Sequence, residues 1–183
     1  YKTFGIRGCG FGFVSDRVAK LPHDKLIAKP EREWELGTFP PSNYAAVSAV
    51  VDYVCWLGGH FSPSRDRRTL FMEGMERIHR QEHALLLRMM NGTPEAPGLR
   101  HIPGVTVHLD SSDTTDRDLI SAIGIDGMDC TRATAESFKR GVTVYERVNT
   151  SIYSKRIVES PGLEGAVPGS PLHRPAASYL DSF

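Results

Sequence analysis

The chain has 183 residues, 22 of them basic and 22 acidic, with 40% hydrophobic and 24% charged side chains. That length suits one domain, or one and a half, and the composition excludes disordered and collagen-like chains. The zero net charge argues against dedicated binding to nucleic acid or a membrane surface, which calls for a basic excess.

Along the chain, YKTFGIRGCGFGFVS mixes aromatics with four glycines, which suits either a strand in close backbone contact or a Gly-rich loop. SDRVAKLP opens on a Ser-Asp cap and reads as a short helix stopping before Pro22. KPEREWELGTFPP is loop chemistry. From Ser42, apolar residues at Tyr44, Val47, Val50, Val51, Val54 and Leu57 recur at helical spacing, with Gly58-Gly59 as the stop, predicting a largely buried helix. A longer helix is predicted from Ser64 or Arg65 to Met90, ended by Asn91-Gly92, with Phe71, Met75, Ile78, Leu85, Leu86 and Met89 on one stripe. Glu82 falls near the centre of that stripe, where apolar packing gives it no role. Strands are predicted at Gly104-VTVHL, Asp118-LISAIGI and Val142-TVYERV, with a short helix from Ala133 to Arg140 before the third. Two helices followed by strand, strand, helix, strand make an α/β or α+β domain with a small, mostly antiparallel sheet. The tail from Pro161 holds four prolines and three glycines and reads as irregular.

No run of about 18 apolar residues is present to span a bilayer. Cys9, Cys55 and Cys130 are odd in number and far apart, which favours a reducing, cytoplasmic compartment over a disulfide framework. The first residue is Tyr, so the reading expects either processing or further residues upstream, and a leader could have preceded it.

Three local patterns invite chemistry. His79-Arg-Gln-Glu82-His83 is the inverted zinc-protease string, with two histidines on one helix face and Glu82 as base. Its third ligand has to be a distant Glu136, Glu146 or Glu159, and a solvated stretch of an Arg-rich helix explains the string as well; the reading counts no metal ligand. Gly5, Gly8, Gly10 and Gly12 match neither a dinucleotide fingerprint nor a Walker loop, and a tightly packed strand accounts for them. The sequons at Asn91 and Asn149 are expected by chance.

The most specific pattern pairs Tyr1-Lys2-Thr3-Phe4-Gly5 with Trp34-Glu35-Leu36-Gly37-Thr38. In this order the segments resemble the class V aminotransferase family, the cysteine-desulfurase-like branch of fold-type-I pyridoxal 5'-phosphate enzymes. The later stretch Arg140-GVTVYERVNTSIYSKRIVES resembles a desulfurase-like subgroup. The resemblance implies that Lys2 is the Schiff-base lysine and catalytic acid/base, that Gly37 and Thr38 form the phosphate-side loop serving the other subunit of a homodimer, and that the substrate is an amino acid reacting at Cα. It implies the organisation too. Residues 1–41 are the end of the large cofactor domain, 42–92 the interdomain helices, 93–167 the small C-terminal α/β domain, and 168–183 an irregular tail.

The chain departs from the family in three places. The family's upstream half, with its ring-stacking residue and the Asp for the pyridine nitrogen, is absent. The small-domain loop YERVNTSIYSKR holds no cysteine to carry a persulfide. Where a carboxylate-binding Arg is expected after Gly165-Ala-Val167, Pro168-Gly169 stands instead; Arg174 is displaced, and Arg147 or Arg156 are the substitutes at hand. Pro168 and Pro171 are also expected to break a central strand. The alternative is therefore a non-catalytic remnant that keeps the fold, with a zinc hydrolase a distant third.

Overall fold

The computed structural model describes residues 5–8, 10–30, 33–37 and 40–171. Its elements are α1 (Asp16–Ala19), α2 (Pro41–Gly59), α3 (Arg67–Asn91), a 3-10 turn (Leu99–His101), β1 (Val105–Val107), β2 (Ser121–Ile125), α4 (Cys130–Lys139), β3 (Arg147–Val148), α5 (Lys155–Glu159) and β4 (Gly165–Gly169). The chain divides into two compact units, one through Met75 and one from Glu76, with the boundary inside α3.

In the first unit α2 opens on Pro41, whose missing N–H costs nothing in a first helical turn. It ends at Gly59, so the two glycines read as its stop are its last two helical residues, with His60 as the C-cap. Its buried residues are Asn43, Val54, Cys55 and Gly58. Tyr44 and Trp56 are 42% and 61% exposed, so the helix is not the largely buried one its spacing suggests. The cause is a narrow contact made by one edge of the helix. A Cβ on Gly58 would strike the Leu70 carbonyl oxygen, and one on Gly74 would strike that of Val54. Backbones in contact at a glycine crossing bury little side-chain area.

α3 begins at Arg67, two or three residues later than expected, because the preceding run spends its polar groups on local turns. Ser62 Oγ accepts from Ser64 N–H, Ser64 Oγ from Asp66 N–H, and Asp66 caps the helix by accepting from Thr69 N–H at 2.8 Å. The helix ends at Asn91, one residue past the expected Met90 and within the expected Asn91-Gly92 terminator, where Gly92 adopts φ +77°.

In the second unit all strand pairs are antiparallel, in the order β1-β2-β4-β3. Leu85, Leu86, Met89 and Met90 from α3 pack on Leu99, Leu119, Ile123, Ala133, Val144 and Val167 to form its core. Burying these ten side chains contributes on the order of 20 kcal/mol before conformational entropy is subtracted. The third predicted strand shortens to Arg147–Val148, because Val142 N–H is spent on the Ser137 carbonyl at the end of α4. Asp129 caps α4 through Arg132 N–H, and Gly141 (φ +83°) ends it. One clamp fastens the loop after β1. Arg100 grips Asp110 with two hydrogen bonds of 2.7 and 2.8 Å and also bonds Asn91 Oδ1 and the Ser111 carbonyl, while Arg117 adds a third contact to Asp110. Beside it Leu109 is held at φ +52°, costly for a branched-chain residue.

Contrary to expectation, Pro168 does not break a strand. It lies inside β4, between β2 and β3, opposite Ala122. Ala122 turns its carbonyl to His108 N–H on the β1 side, so the Ala122–Pro168 pair is a non-hydrogen-bonded one. The Pro168 nitrogen therefore faces the β3 side, where pairing has already ended at Ala166. No ladder bond is lost.

Candidate functional site

Of the residues carried over from the family, Lys2 and Thr38 lie outside the described residues, and Gly37 lies within them. What the structure does show is how the segment leading to Gly37 is held, one tie for each of three successive residues. Glu33 accepts from Lys29 Nζ at 2.6 Å, a pair that raises the Lys29 ammonium above its ordinary range. Trp34 stacks face to face on His23, centroids 4.1 Å apart and planes within 9°. The His23 ring sits between carbonyls, with Nδ1 2.9 Å from the Leu21 oxygen and Nε2 3.4 Å from that of Glu33. Glu35 accepts from the Tyr44 hydroxyl at 3.1 Å.

Tyr44 also meets Phe11 edge to face, with centroids 6.2 Å apart. One side chain in the first turn of α2 thus meets both Phe11 of the Gly-rich segment and Glu35 of the 33–37 segment. An exposed ion pair such as Lys29–Glu33 contributes little by itself, typically under 1 kcal/mol. The stack and the Tyr44 bond give the loop its direction. Beyond them Leu36 is 58% exposed and a Cβ on Gly37 would meet nothing within 4 Å. The Gly37 backbone is therefore open to the approach of a ligand group, which is the property a phosphate-side loop needs.

Spacing had placed Tyr44 in a core stripe. Its hydroxyl, and its place in a helix's first turn beside a loop rich in acidic residues, were the available signals. His23 had no signal in the sequence.

The glycine cluster is no packed strand. Gly8, at φ +82°, Gly10 and Gly12 lie in a loop with no atom within 4 Å of an added Cβ. The thiol of Cys130 abuts Gly165, and burial pushes its pKa up, helped by Asp129 and Glu146, the reverse of what a nucleophile needs. Arg147 stands opposite Ala166 on an outer strand, and Arg156 is exposed on α5. Arg174 lies outside the described residues. His79 and His83 do share a face of α3, yet no group of three or more His, Cys, Asp or Glu able to hold a metal occurs among the described residues.

Comparison with solved structures finds the apo structure of a cysteine desulfurase from Thermococcus onnurineus NA1, with a TM-score of 0.59 over 98% of this chain. The fold is cysteine-desulfurase-like. Identity to that protein is 20%, and the match covers 36% of its chain, so the present chain spans about a third of its length. No family model matches the sequence, and no curated protein matches it. The α+β class read from the sequence, with a long helix and a small antiparallel sheet, stands in this fold. No described helix is long and apolar enough to cross a membrane.

Proposed function

We propose that this chain is the C-terminal portion of a pyridoxal 5'-phosphate-dependent enzyme of the class V aminotransferase, cysteine-desulfurase-like kind, acting at the Cα of an amino acid. The observation that carries the reading is the open backbone of Gly37 at the end of a segment held by His23 and Tyr44. The desulfurase-like fold over 98% of the chain supports it.

In this reading Lys2 would hold the cofactor through Nζ and would move the Cα proton, for which its amine must be neutral and so desolvated or set beside another cation. The bound cofactor supplies an electron sink for charge developing at Cα. Gly37 would admit the phosphate to the loop backbone, and the Thr38 hydroxyl would donate to it. Tyr44 and His23 are positioning residues that fix the loop's direction. The loop serves the partner subunit's site in a homodimer, and the protein works in the cytoplasm. Sulfur transfer through a persulfide is disfavoured, because Cys130 is packed and its thiol is pushed towards the protonated form. Transamination, elimination and racemisation at Cα all fit the residues.

One observation favours the second reading, a non-catalytic remnant. Pro168 occupies β4 where the family's carboxylate-binding Arg is expected, and without that fork a substrate carboxylate loses its bidentate partner.

The test is to add pyridoxal phosphate to the purified chain, reduce with borohydride, and locate modified lysines by peptide mass. A single adduct at Lys2, absent in Lys2→Ala and weakened in Tyr44→Phe, supports the enzyme reading. Scattered labelling of surface lysines, unchanged in a protein extended upstream of Tyr1, supports the remnant and ends the enzyme reading.

A further inference from the structure

The face of α3 that bears His79 and His83 is unused by the function proposed above. The two imidazoles stand one helical turn apart with ring centroids 6.3 Å from each other and planes within 25°. His79 is exposed and His83 is half-buried. Nε2 of His83 lies 3.1 Å from the hydroxyl of Thr114, a residue only 7% exposed. That hydroxyl sits on a fastened loop: the Thr114 carbonyl accepts from Arg117 N–H, and Asp113 accepts from Thr115 N–H. The Thr114 oxygen can accept from Nε2, and in that neutral tautomer Nδ1 carries a lone pair that can bind a metal. A fixed oxygen behind a histidine is also the usual outer support of a metal-binding imidazole.

We propose that His79 and His83 form an exchangeable two-imidazole site for a borderline divalent transition metal, Cu²⁺ before the others, with waters completing its coordination. Nitrogen ligands and the general order of divalent affinities set that preference, and Mg²⁺, which takes oxygen donors, is excluded. Bonds of about 2.0–2.1 Å to each ring require the centroids to close to roughly 5 Å, a movement within reach of the exposed His79 side chain. The site is not a hydrolytic centre. Among the described residues there is no third protein ligand to close it, and the nearby Glu76 is already held by Arg80 at 2.7 Å. It stands independently of any cofactor chemistry at Lys2.

The test is a titration of the full chain with Cu²⁺, Ni²⁺, Zn²⁺ and Mg²⁺ near neutral pH, followed by calorimetry and, for Cu²⁺, by electron paramagnetic resonance. The expected result is one principal site, strongest for Cu²⁺ and silent to Mg²⁺, with the hyperfine pattern of two nitrogens. His79→Gln and His83→Gln should each weaken Cu²⁺ about tenfold or more, and Thr114→Val by a smaller factor. His79→Gln alters an exposed side chain and keeps the fold, so it decides the matter even where His83→Gln perturbs the loop. Cu²⁺ affinity within about twofold of the parent in the double variant, or a single-nitrogen signal, overturns the proposal and assigns binding to the remaining histidines.

Discussion

Replacing Gly58 with alanine tests the crossing on which the first unit depends. Alanine is the better helix former, so propensity alone predicts a gain of roughly 0.5–1 kcal/mol. The structure predicts the opposite sign. The new methyl would strike the Leu70 carbonyl oxygen and come within 2.9 Å of both the Gly74 nitrogen and the Leu70 carbonyl carbon. These are backbone atoms of α3, which no rotamer change can move aside. Restoring ordinary contact forces the helices apart and opens the packing around the buried Val54 and Cys55. Overpacking of this kind costs about 1–3 kcal/mol, which outweighs the propensity gain. Gly59 supplies the control, since it lies in the same helix and a Cβ there meets nothing within 4 Å. Urea unfolding followed by far-UV circular dichroism should show Gly58→Ala losing about 1–2 kcal/mol while Gly59→Ala is neutral or gains a few tenths. Equal effects at the two positions, or a Gly58→Ala variant as stable as the parent, would refute the close crossing.

Asp110 is held below the usual carboxylate range, chiefly by its hydrogen bonds from Arg100, with Arg117 adding charge. A carboxylate depressed on folding contributes stability that is present above its unfolded pKa and lost as pH falls through the folded one. Asp110→Asn should therefore cost about 1 kcal/mol at neutral pH and flatten the acid limb of the stability profile, as read by urea midpoints across the acid range. Pro168→Ala should change stability by less than about 1 kcal/mol, since no ladder bond waits for the restored N–H; a gain above about 2 kcal/mol counts against the register. The raised Cys130 thiol should alkylate slowly at mildly basic pH and quickly in denaturant, as followed by peptide mass; fast labelling of the folded chain contradicts the packing against Gly165.

Helix ends were legible where a single residue fixes the backbone. Asn91-Gly92 and Gly141 mark real termini because a left-handed turn there needs glycine. α5 and β4 were not legible, since five residues carry too little periodicity, and GAVPG offers one β-branched side chain and a proline. The stripe on α2 was read correctly as a face and wrongly as a buried one. Periodicity says which side chains point together, and only the neighbouring chain decides whether anything covers them. The same limit applies at the candidate site. The motif residues could be named from their order, but the ties that aim their loop, from His23, Lys29 and Tyr44, span 4 to 11 residues and follow no fixed spacing.

The glycines show why the missing part is physical. Gly8, Gly10 and Gly12 drew notice by their density, yet all three stand in open space, and only Gly8 has a backbone that requires glycine. Gly58 reads from the sequence as a helix stop and Gly74 gives no signal there, yet at these two the absent side chain lets two helices touch. Density along the chain reports local freedom. The demand for a missing Cβ at Gly58 comes from α3, at least 12 residues away, and becomes visible only once the helices cross. At Gly37 the same reasoning runs the other way. Its free space and ordinary backbone mean that nothing among the described residues requires glycine there, which leaves room for a group that approaches the loop. Gly37→Ala should accordingly leave stability unchanged while weakening capture of a phosphate-bearing ligand, a separation that no purely structural role of the loop would produce.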